Sequence, residues 1–414
     1  MTARLPEGHG RTQTDRTDWA VVWVALGAGI LAAVQVGKAI VGLPAVRADL
    51  GMSLTLAGVL LSAYTYVGAV LGGVAGGIVD RIGQGRVLVA AMAALALASG
   101  LGAASPAVVM LVFSRVLEGF GFMACVVAAP ALVSRASGGA QRNLTMGLWG
   151  VYMPAGQLLA MIVGPAILAS LGWRGFWGVN AAVVGGYAVV VAVIVGRSGM
   201  ADSLRRGTGR QPGATRGETP GWAGLRPVLP LALTFGLYSL QYLAVVGFLP
   251  TIYQANGLTA SHAAFLTGVV IFGNIVGNVV AGALVHRGVA PGTLAVLALA
   301  VMGVCAVPIY AGWAPFPLAF AAAVCFTTFG GLLPASVFAA VPRMAPSPAL
   351  TGPANGLVVQ ISNTGSIIGP PLVAALASMV GGWSMSPLVL STAAVLGIWA
   401  ALVVRRRAGQ PVQS

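Results

Sequence analysis

Long apolar runs of about 20 residues follow one another along the chain, separated by short polar or glycine- and proline-containing segments. A helix needs about 20 apolar residues to cross a bilayer core, because each residue adds about 1.5 Å. The runs are continuous rather than alternating, which favours helices over the strands of a membrane barrel. The pattern predicts twelve spanning helices, over residues 19–45, 54–78, 86–104, 107–133, 143–170, 175–196, 227–252, 260–285, 292–311, 316–340, 351–378 and 385–404.

Composition agrees with a membrane-spanning chain. Hydrophobic residues make up 58% of the 414 residues, charged residues make up 7%, and the mean hydropathy is +0.92. Soluble domains carry about 25% charged residues, so a soluble globular fold is excluded. Because hydrocarbon offers no partner for backbone polar groups, the spans must satisfy their own hydrogen bonds. The sequence therefore predicts an all-α membrane protein.

The basic residues predict an orientation. In the twelve-span topology, 18 of the 22 basic residues fall in segments on one side, and only Arg47 and Arg174 fall in loops on the other. The positive-inside rule then places both termini in the cytoplasm and the protein in the inner (plasma) membrane. The net charge of +14 is spread over loops and tails, which favours attraction to membrane lipid over nucleic-acid binding. The first 18 residues lack an apolar core, so no cleavable signal peptide is expected.

The chain repeats itself at a nearly constant spacing. Leu43-Pro44 recurs as Leu249-Pro250 at an offset of 206, and Gly172-Trp173 recurs as Gly382-Trp383 at an offset of 210. An internal repeat at one spacing predicts a duplicated six-span unit, and two parallel six-span units are a known transporter plan. The predicted organisation is an N-terminal tail (1–18), a six-helix bundle (19–196), a linker (197–226), a second six-helix bundle (227–404) and a C-terminal tail (405–414).

Two motifs carry a family resemblance. Residues 76–86, after the second span, read GGIVDRIGQGR and are similar to the signature loop Gly-x-Leu-Ala-Asp-Arg-x-Gly-Arg-Arg of the major facilitator superfamily. Residues 115–121, in the fourth span, read RVLEGFG and resemble that family's Arg-x-x-x-Gly motif. The chain thus resembles this superfamily over nearly its whole length, and more loosely its cyanate and nitroimidazole transporter-like branch. The resemblance implies a secondary active transporter whose two pseudo-symmetric bundles alternate access.

The signature loop supplies candidate gating residues. By resemblance, Asp80 caps or pairs with a neighbouring helix end when the cytoplasmic side is closed. The alternative is a plain helix-ending turn built on the glycines. The loop departs from the family pattern at positions 84 and 85, where Gln and Gly replace two basic residues. The candidate gating set is Gly76, Asp80, Arg81, Gly83 and Arg86.

Three charged residues lie inside predicted spans. Lys38 is the only lysine of the chain and falls in the outer half of span 1, where it either faces a polar cavity or snorkels to the outer surface. Arg115 and Glu118 share one face of span 4. They act either as an anion site and a proton carrier, or as a buried ion pair that holds span 4 to its neighbours. A cavity with two cations and one carboxylate favours anionic cargo.

Neutral polar residues within the spans complete the candidate site. Amides and hydroxyls at this depth either line the solute pathway or hydrogen-bond between helices. The candidate substrate-binding residues are Gln35, Lys38, Arg115, Tyr152, Gln157, Tyr238, Gln241, Tyr242, Asn274, Gln360 and Asn363. Glu118 is the candidate for proton coupling.

The leading interpretation is proton-coupled transport of a small, negatively charged organic solute by a monomer. The first alternative is a proton-antiport exporter of drugs, siderophores or other secreted metabolites, for which the span-5 motif is present only in part, at Gly147, Gly156, Gly164 and Pro165. The second is a non-transporting membrane sensor. Phosphate-binding loops, zinc motifs and nucleophile–base pairs are missing from the sequence, so we expect no enzyme activity, no metal and no cofactor.

Overall fold

The computed structural model describes residues 17–197, 222–347 and 350–408, which are helical and contain no strand. This confirms the prediction of an all-α fold. Parts of the predicted tails and linker, residues 1–16, 198–221 and 409–414, lie outside the described residues. The α-helices are α1 (Trp19–Leu50), α2 (Leu54–Ser62), α3 (Tyr66–Ile82), α4 (Gln84–Ala103), α5 (Val108–Ala136), α6 (Arg142–Trp149), α7 (Tyr152–Arg197), α8 (Leu229–Ala255), α9 (Ala260–His286), α10 (Pro291–Tyr310), α11 (Phe316–Gly330), α12 (Leu332–Met344), α13 (Thr351–Val380) and α14 (Ser386–Ala408).

Eleven helical stretches of the described residues are long and apolar enough to cross a membrane. The longest, α7, has 46 residues, roughly twice what the hydrocarbon core of about 30 Å requires. It is interrupted at Gly172, where φ is 65° and ψ is −178°, a conformation that favours glycine. The two parts of α7 are therefore the predicted fifth and sixth spans, and the count agrees with twelve.

Contacts with α1 show that the chain reverses at Gly172. In the first part of α7, Gly156 packs against Ile30 and Gly164 packs against Val41, so both helices run in the same direction. In the second part, Trp177 packs against Gly42 and Tyr187 donates a hydrogen bond to the carbonyl of Val24 at 3.0 Å. Numbering along α1 now decreases as numbering along α7 rises. A helical hairpin results, as the sequence pattern predicts.

The second predicted span is broken in its middle. A short 3-10 helix, Ala63–Thr65, separates α2 from α3 and carries the buried Tyr64 side chain. Gly119 of α5 lies against the Tyr64 backbone so closely that an added Cβ would overlap the Tyr64 carbonyl oxygen. A glycine is therefore required where α5 crosses this break. The break fixes the position of the Tyr64 ring relative to α5.

The helices form two bundles, α1–α7 and α8–α14, that meet along α13. This helix packs against α2 and α3 of the first bundle as well as against α8 of its own, and α7 packs against α9. Glycines bring the backbones together: a Cβ on Gly58 would lie 2.7 Å from the Pro370 carbonyl oxygen. Near the predicted cytoplasmic ends, a Cβ added to Gly77 or Gly352 would meet no atom within 4 Å. Backbone contact between the bundles thus extends from Gly58 at the predicted external level inward to Gly356, where an added Cβ would lie 3.4 Å from the Gly73 Cα.

Candidate functional site

Lys38, Arg115 and Glu118 form a buried charge cluster inside the first bundle. Lys38 Nζ lies 2.6 Å from Glu118 Oε1, and Arg115 Nη1 pairs with Glu118 Oε2. All three side chains are fully buried, with 0% of their surface exposed. Lys38 therefore does not snorkel to the surface in this structure. It joins α1 to α5 through an ion pair, an arrangement that neither sequence interpretation of Lys38 contained.

The helix periodicity and small residues explain why these groups meet. Gln35 precedes Lys38 by three residues, so both lie on one face of α1, and Arg115 and Glu118 share a face of α5 in the same way. Gly37, adjacent to Lys38, packs against Gln157 and Ala160 of α7. Close packing on both sides of α1 excludes water from the cluster.

Lys38 uses all three of its ammonium protons. Nζ donates to Glu118, to Gln35 Oε1 at 2.5 Å and to Ser99 Oγ of α4 at 2.5 Å. Ser99 in turn donates to the Trp177 carbonyl at 3.0 Å, and the Trp177 ring lies 5.0 Å from Nζ. An ammonium group has three donors, so Lys38 has no donor left over.

Arg115, in contrast, keeps free donors. Its Nη1 donates to Glu118 and to the Gln35 carbonyl at 2.8 Å, and its guanidinium lies 5.4 Å from the centre of the Tyr64 ring. Nε and Nη2 are buried and have no hydrogen-bond partner among the described residues. These two N–H groups form one edge of the guanidinium plane. Such an edge can donate two parallel hydrogen bonds to one carboxylate.

The cluster carries an unbalanced charge. Two cations share one carboxylate, which leaves a formal charge of +1 in a fully buried position. Burying an uncompensated charge is costly, and buried charges in proteins are normally paired. One further negative charge at the free edge of Arg115 would both neutralise the cluster and satisfy its two unpaired donors.

Gly119 controls how Tyr64 meets Arg115, which gives a first prediction. Gly119→Val should lower the melting temperature of the protein in detergent, because its side chain would push α5 away from the Tyr64 carbonyl. Overpacking of this kind typically costs about 1–3 kcal/mol. Gly139→Val is the matched control, since a Cβ there meets no atom within 4 Å. Equal melting temperatures for the two variants would contradict the close contact.

A second group of predicted residues bridges the two bundles. Tyr242 of α8 donates a hydrogen bond to Gln157 Oε1 of α7 at 2.9 Å, next to the position where Gln157 packs on Gly37. Tyr238 lies one turn before Tyr242, with ring centres 5.7 Å apart, and accepts a hydrogen bond of 3.2 Å from Asn274. The bridge therefore extends from the neighbourhood of the charge cluster into the second bundle.

The remaining neutral candidates are more dispersed. Gln241 is buried, and its Oε1 has no partner among the described residues. Tyr152 stacks on Trp149 with ring centres 4.4 Å apart. Gln360 and Asn363 of α13 lie opposite glycines of α3, at the contact between the bundles. The structure thus brings Gln35, Lys38, Arg115 and Glu118 together and leaves these four residues outside that cluster.

The candidate gating residues lie where α3 ends and α4 begins. Gly83 has φ 101° and ends α3, and Arg81 and Arg86 are exposed on either side of it. Gly76 and Asp80 fall within α3, but the Asp80 side chain lies outside what the structure describes. The positive φ of Gly83 explains the glycine of the motif as a helix-ending turn.

Sequence reasoning missed three residues of the site. Ser99, Tyr64 and Trp177 contact the charged groups, but each comes from a different part of the chain, 61 residues from Lys38 in the case of Ser99. A serine, a tyrosine and a tryptophan in apolar spans have no local pattern that distinguishes them. The packing of α4 and α7 against α1 reveals Ser99 and Trp177, and the packing of the short 3-10 helix against α5 reveals Tyr64.

Comparison with known proteins places the chain in a family. The profile of the Major Facilitator Superfamily matches residues 25–230 and 231–414. The "Multidrug resistance protein B homolog" of Mycobacterium tuberculosis is 29% identical over 196 residues, which is 47% of this chain and 36% of that protein. The "Puromycin resistance protein pur8" of Streptomyces alboniger is 31% identical over 166 residues, 40% of this chain and 33% of that protein. The chain thus spans about a third of the length of the curated relatives it matches.

A solved structure shares the fold. A bacterial homologue of the human lysosomal transporter Spinster, in an inward-facing and unoccupied conformation, superposes with a TM-score of 0.69. The alignment covers 94% of this chain and 96% of that one, at 15% sequence identity. The twelve membrane helices, the two bundles and the profile match agree with one another. This multi-pass membrane protein, which is not an enzyme, belongs to the major facilitator superfamily of transporters.

Proposed function

We propose that the chain transports a small organic anion together with protons, by alternating access between its two bundles. The observation that carries this proposal is the free Nε–Nη2 edge of Arg115, buried and unpaired beside a cluster of charge +1. A carboxylate accepts two parallel hydrogen bonds from such an edge, and two charge-assisted bonds give both affinity and orientation. The Tyr64 ring beside the guanidinium offers an apolar and aromatic surface for the rest of the solute.

The formal charge supports a solute with one negative charge. While Glu118 is ionised, one bound monoanion brings the cluster from +1 to zero, whereas a cation would raise it to +2 within a buried site. A neutral solute would leave the charge uncompensated. The same reasoning supports Gln35 as a positioning residue, because its carbonyl and side chain orient Arg115 and Lys38.

Glu118 is the proposed proton carrier, since it lies between the two cations. While ionised, it competes with an incoming carboxylate for Arg115 and Lys38. Once protonated, it leaves a charge of +2 on Lys38 and Arg115, and a bound monoanion returns the cluster to +1, the charge that it carries without solute. Coupling between two bound species is reciprocal, so a bound anion must favour the protonated carboxyl to the same extent. Proton and anion therefore bind together, which is symport.

The test is transport in liposomes loaded with a pH-sensitive dye. Addition of single organic anions outside should acidify the lumen only when the protein is present. Arg115→Gln should remove this signal while leaving protein incorporation unchanged. Failure of every monocarboxylate to move protons, in liposomes where the protein is folded, would overturn the proposal.

The second candidate is a proton-antiport exporter. The relatives named for multidrug and puromycin resistance support it, although only about half of this chain or less is aligned with them. In the same liposomes, alkalinisation of the lumen on addition of a lipophilic cation or a neutral drug would favour this function. Under that outcome the Nε–Nη2 edge of Arg115 would have a structural role and would not bind the solute.

The inter-bundle bond predicts a change in rate. Tyr242→Phe removes the hydrogen bond to Gln157, which joins the two bundles near the middle of their predicted spans. One such bond contributes about 0.5–1.5 kcal/mol, so the balance between the closed and open states should shift about 2- to 10-fold. Initial uptake rates measure this shift. Tyr187→Phe loses a similar bond within one bundle and should leave the rate nearly unchanged; equal effects of both variants would argue against a gating role of Tyr242.

The signature loop gives a second prediction about gating. We propose that Asp80 stabilises the state closed to the cytoplasm, in line with the family motif that it matches. Asp80→Asn keeps the shape of the side chain but removes its charge, so uptake per molecule should fall several-fold while expression stays near normal. Uptake normalised to the amount of purified protein is the measurement. Wild-type uptake kinetics would remove Asp80 from the gating set.

The orientation and surroundings of the protein belong to the same proposal. We propose that both termini lie in the cytoplasm and that the protein contacts anionic lipid, because arginines concentrate on one side of the predicted topology. A monomer provides the complete pathway, because both bundles come from one chain.

A further inference from the structure

The second bundle contains a cavity that is separate from the charge cluster. Its volume is about 370 Å³, and it lies at the predicted external end, between the ends of α8, α10 and α11 and the turn before α14. Ligand pockets in proteins have volumes of about 300–1,000 Å³, so the space is large enough for a small molecule. The cavity contains no residue of the first bundle.

The corresponding end of the first bundle is closed by polar contacts. Asp49 Oδ2 pairs with Arg174 Nη1 at 2.5 Å and accepts a hydrogen bond of 3.0 Å from Trp173 Nε1. Arg174 also donates to the Ser105 carbonyl at 3.3 Å and lies over the Trp173 ring at 4.3 Å. We call Asp49, Trp173, Arg174 and Ser105 the external clamp. It joins the ends of α1 and α4 to the turn of α7.

The second bundle has lost the charges of this clamp. At the offsets of 206 and 210 that relate the two halves, Ala255 replaces Asp49 and Ser384 replaces Arg174. Both replacements line the cavity, whereas the tryptophan is retained as Trp383. An ion pair like that of Asp49 and Arg174 cannot form between Ala255 and Ser384. The cavity lies where such a pair would close the end of the second bundle.

The walls of the cavity are aromatic and uncharged. Tyr253 packs edge-to-face on Phe316 with ring centres 5.4 Å apart, and Tyr310 lies 5.8 Å from Trp383. The lining contains no Asp, Glu, Lys or Arg. The buried hydroxyl of Tyr253 has no hydrogen-bond partner among the described residues. That oxygen is also shielded from the open space of the cavity, so it offers no donor to a ligand there. Aromatic walls favour a ring in offset or edge contact.

We propose that this cavity is a binding site for an uncharged aromatic molecule that enters from the predicted external side. The rings of the ligand pack against the partly exposed side chains of Phe316 and Trp383, since Tyr253 and Tyr310 are only 3% and 4% exposed. The site is separate from the proposed anion site, because Arg115, Lys38 and Glu118 do not line the cavity. A charged ligand would find no counter-ion in the walls.

Benzophenone is a suitable probe, because it is uncharged, has two aromatic rings, and forms bonds to carbon atoms of neighbouring C–H groups on irradiation. The protein in lipid nanodiscs is irradiated with increasing benzophenone, and the labelled peptides are mapped by mass spectrometry. Saturable labelling of residues 249–256, 309–319 and 382–384 is expected. Labelling that never saturates and spreads over lipid-facing residues, as simple partitioning into lipid would give, would overturn the proposal.

Two variants test the structural argument. Ala255→Asp combined with Ser384→Arg restores the clamp charges and should reduce cavity labelling at least tenfold, and Ala319→Phe should do the same by filling the space. Arg115→Gln should label normally although it no longer transports an anion, which keeps failure of this site distinct from failure of the proposed function. Undiminished labelling of folded clamp and Ala319→Phe variants would refute the site.

Discussion

Replacing Arg115 by lysine is expected to lower transport kcat/KM for an organic anion by about 100-fold. Lysine keeps the positive charge but lacks the planar edge formed by Nε and Nη2, so the solute loses two charge-assisted hydrogen bonds. Each such bond contributes about 1.5–3 kcal/mol, and a loss of about 3 kcal/mol in total corresponds to roughly 100-fold. Initial uptake rates over a range of anion concentrations measure the change.

The matched control is Arg47→Lys, which makes the same substitution near the outer end of α1, away from the cluster. It should transport with kinetics close to those of the unmodified protein. A normal KM in Arg115→Lys would show that the free edge does not bind the solute. The proposal of anion transport would then lose the observation that carries it.

Removing the charge of Glu118 should have the largest combined effect on stability and coupling. Glu118→Gln leaves Lys38 and Arg115 buried with a charge of +2 and only neutral partners. Breaking a buried pair by removing one partner typically costs about 3–5 kcal/mol. We expect a lower melting temperature in detergent, together with loss of the lumen acidification that accompanies anion uptake.

A double variant separates the two effects. Lys38→Met combined with Glu118→Gln returns the cluster to a charge of +1, the same as in the unmodified protein, and should recover much of the melting temperature. It should still fail to move protons, because neither titratable partner remains beside Arg115. Proton uptake by the stable double variant would exclude Glu118 as the carrier. Recovery of both stability and coupling would reduce the ion pair to a structural role.

Much of the fold follows from the sequence, because each span is a local feature. Apolar runs give the number of membrane helices, and their predicted bounds differ from the observed ones by a few residues in most cases. The first run was predicted to end at residue 45, whereas α1 continues to Leu50 and ends where Gly51 adopts the left-handed conformation, with φ 58°. The positive φ at Gly172 marks the turn that the apolar pattern placed between spans 5 and 6.

The arrangement of the charged residues did not follow from the sequence. Arg115 and Glu118 are three residues apart, so helix geometry alone places them together. Lys38 and Glu118 are 80 residues apart, and their contact depends on how α1 packs against α5. That packing is set by glycines and alanines distributed over several helices, whose close approach has no signature in a single sequence. The break at Tyr64 could not be predicted either, because no proline or charged residue marks it in the sequence.

Lys38 is the only lysine of the chain and is buried, so its reactivity can report on the opening of the charge cluster. Outside the amino terminus, a reagent that acylates amines has one target, Lys38 Nζ, and in this structure that atom is shielded from water and held by Glu118, Gln35 and Ser99. Its modification rate therefore measures how often the cluster opens to solvent. The other 21 of the 22 Lys and Arg positions are all arginines, whose side chains do not react with such a reagent as amines do. The modification rate of this one side chain thus measures how often the transport pathway opens, without any engineered label.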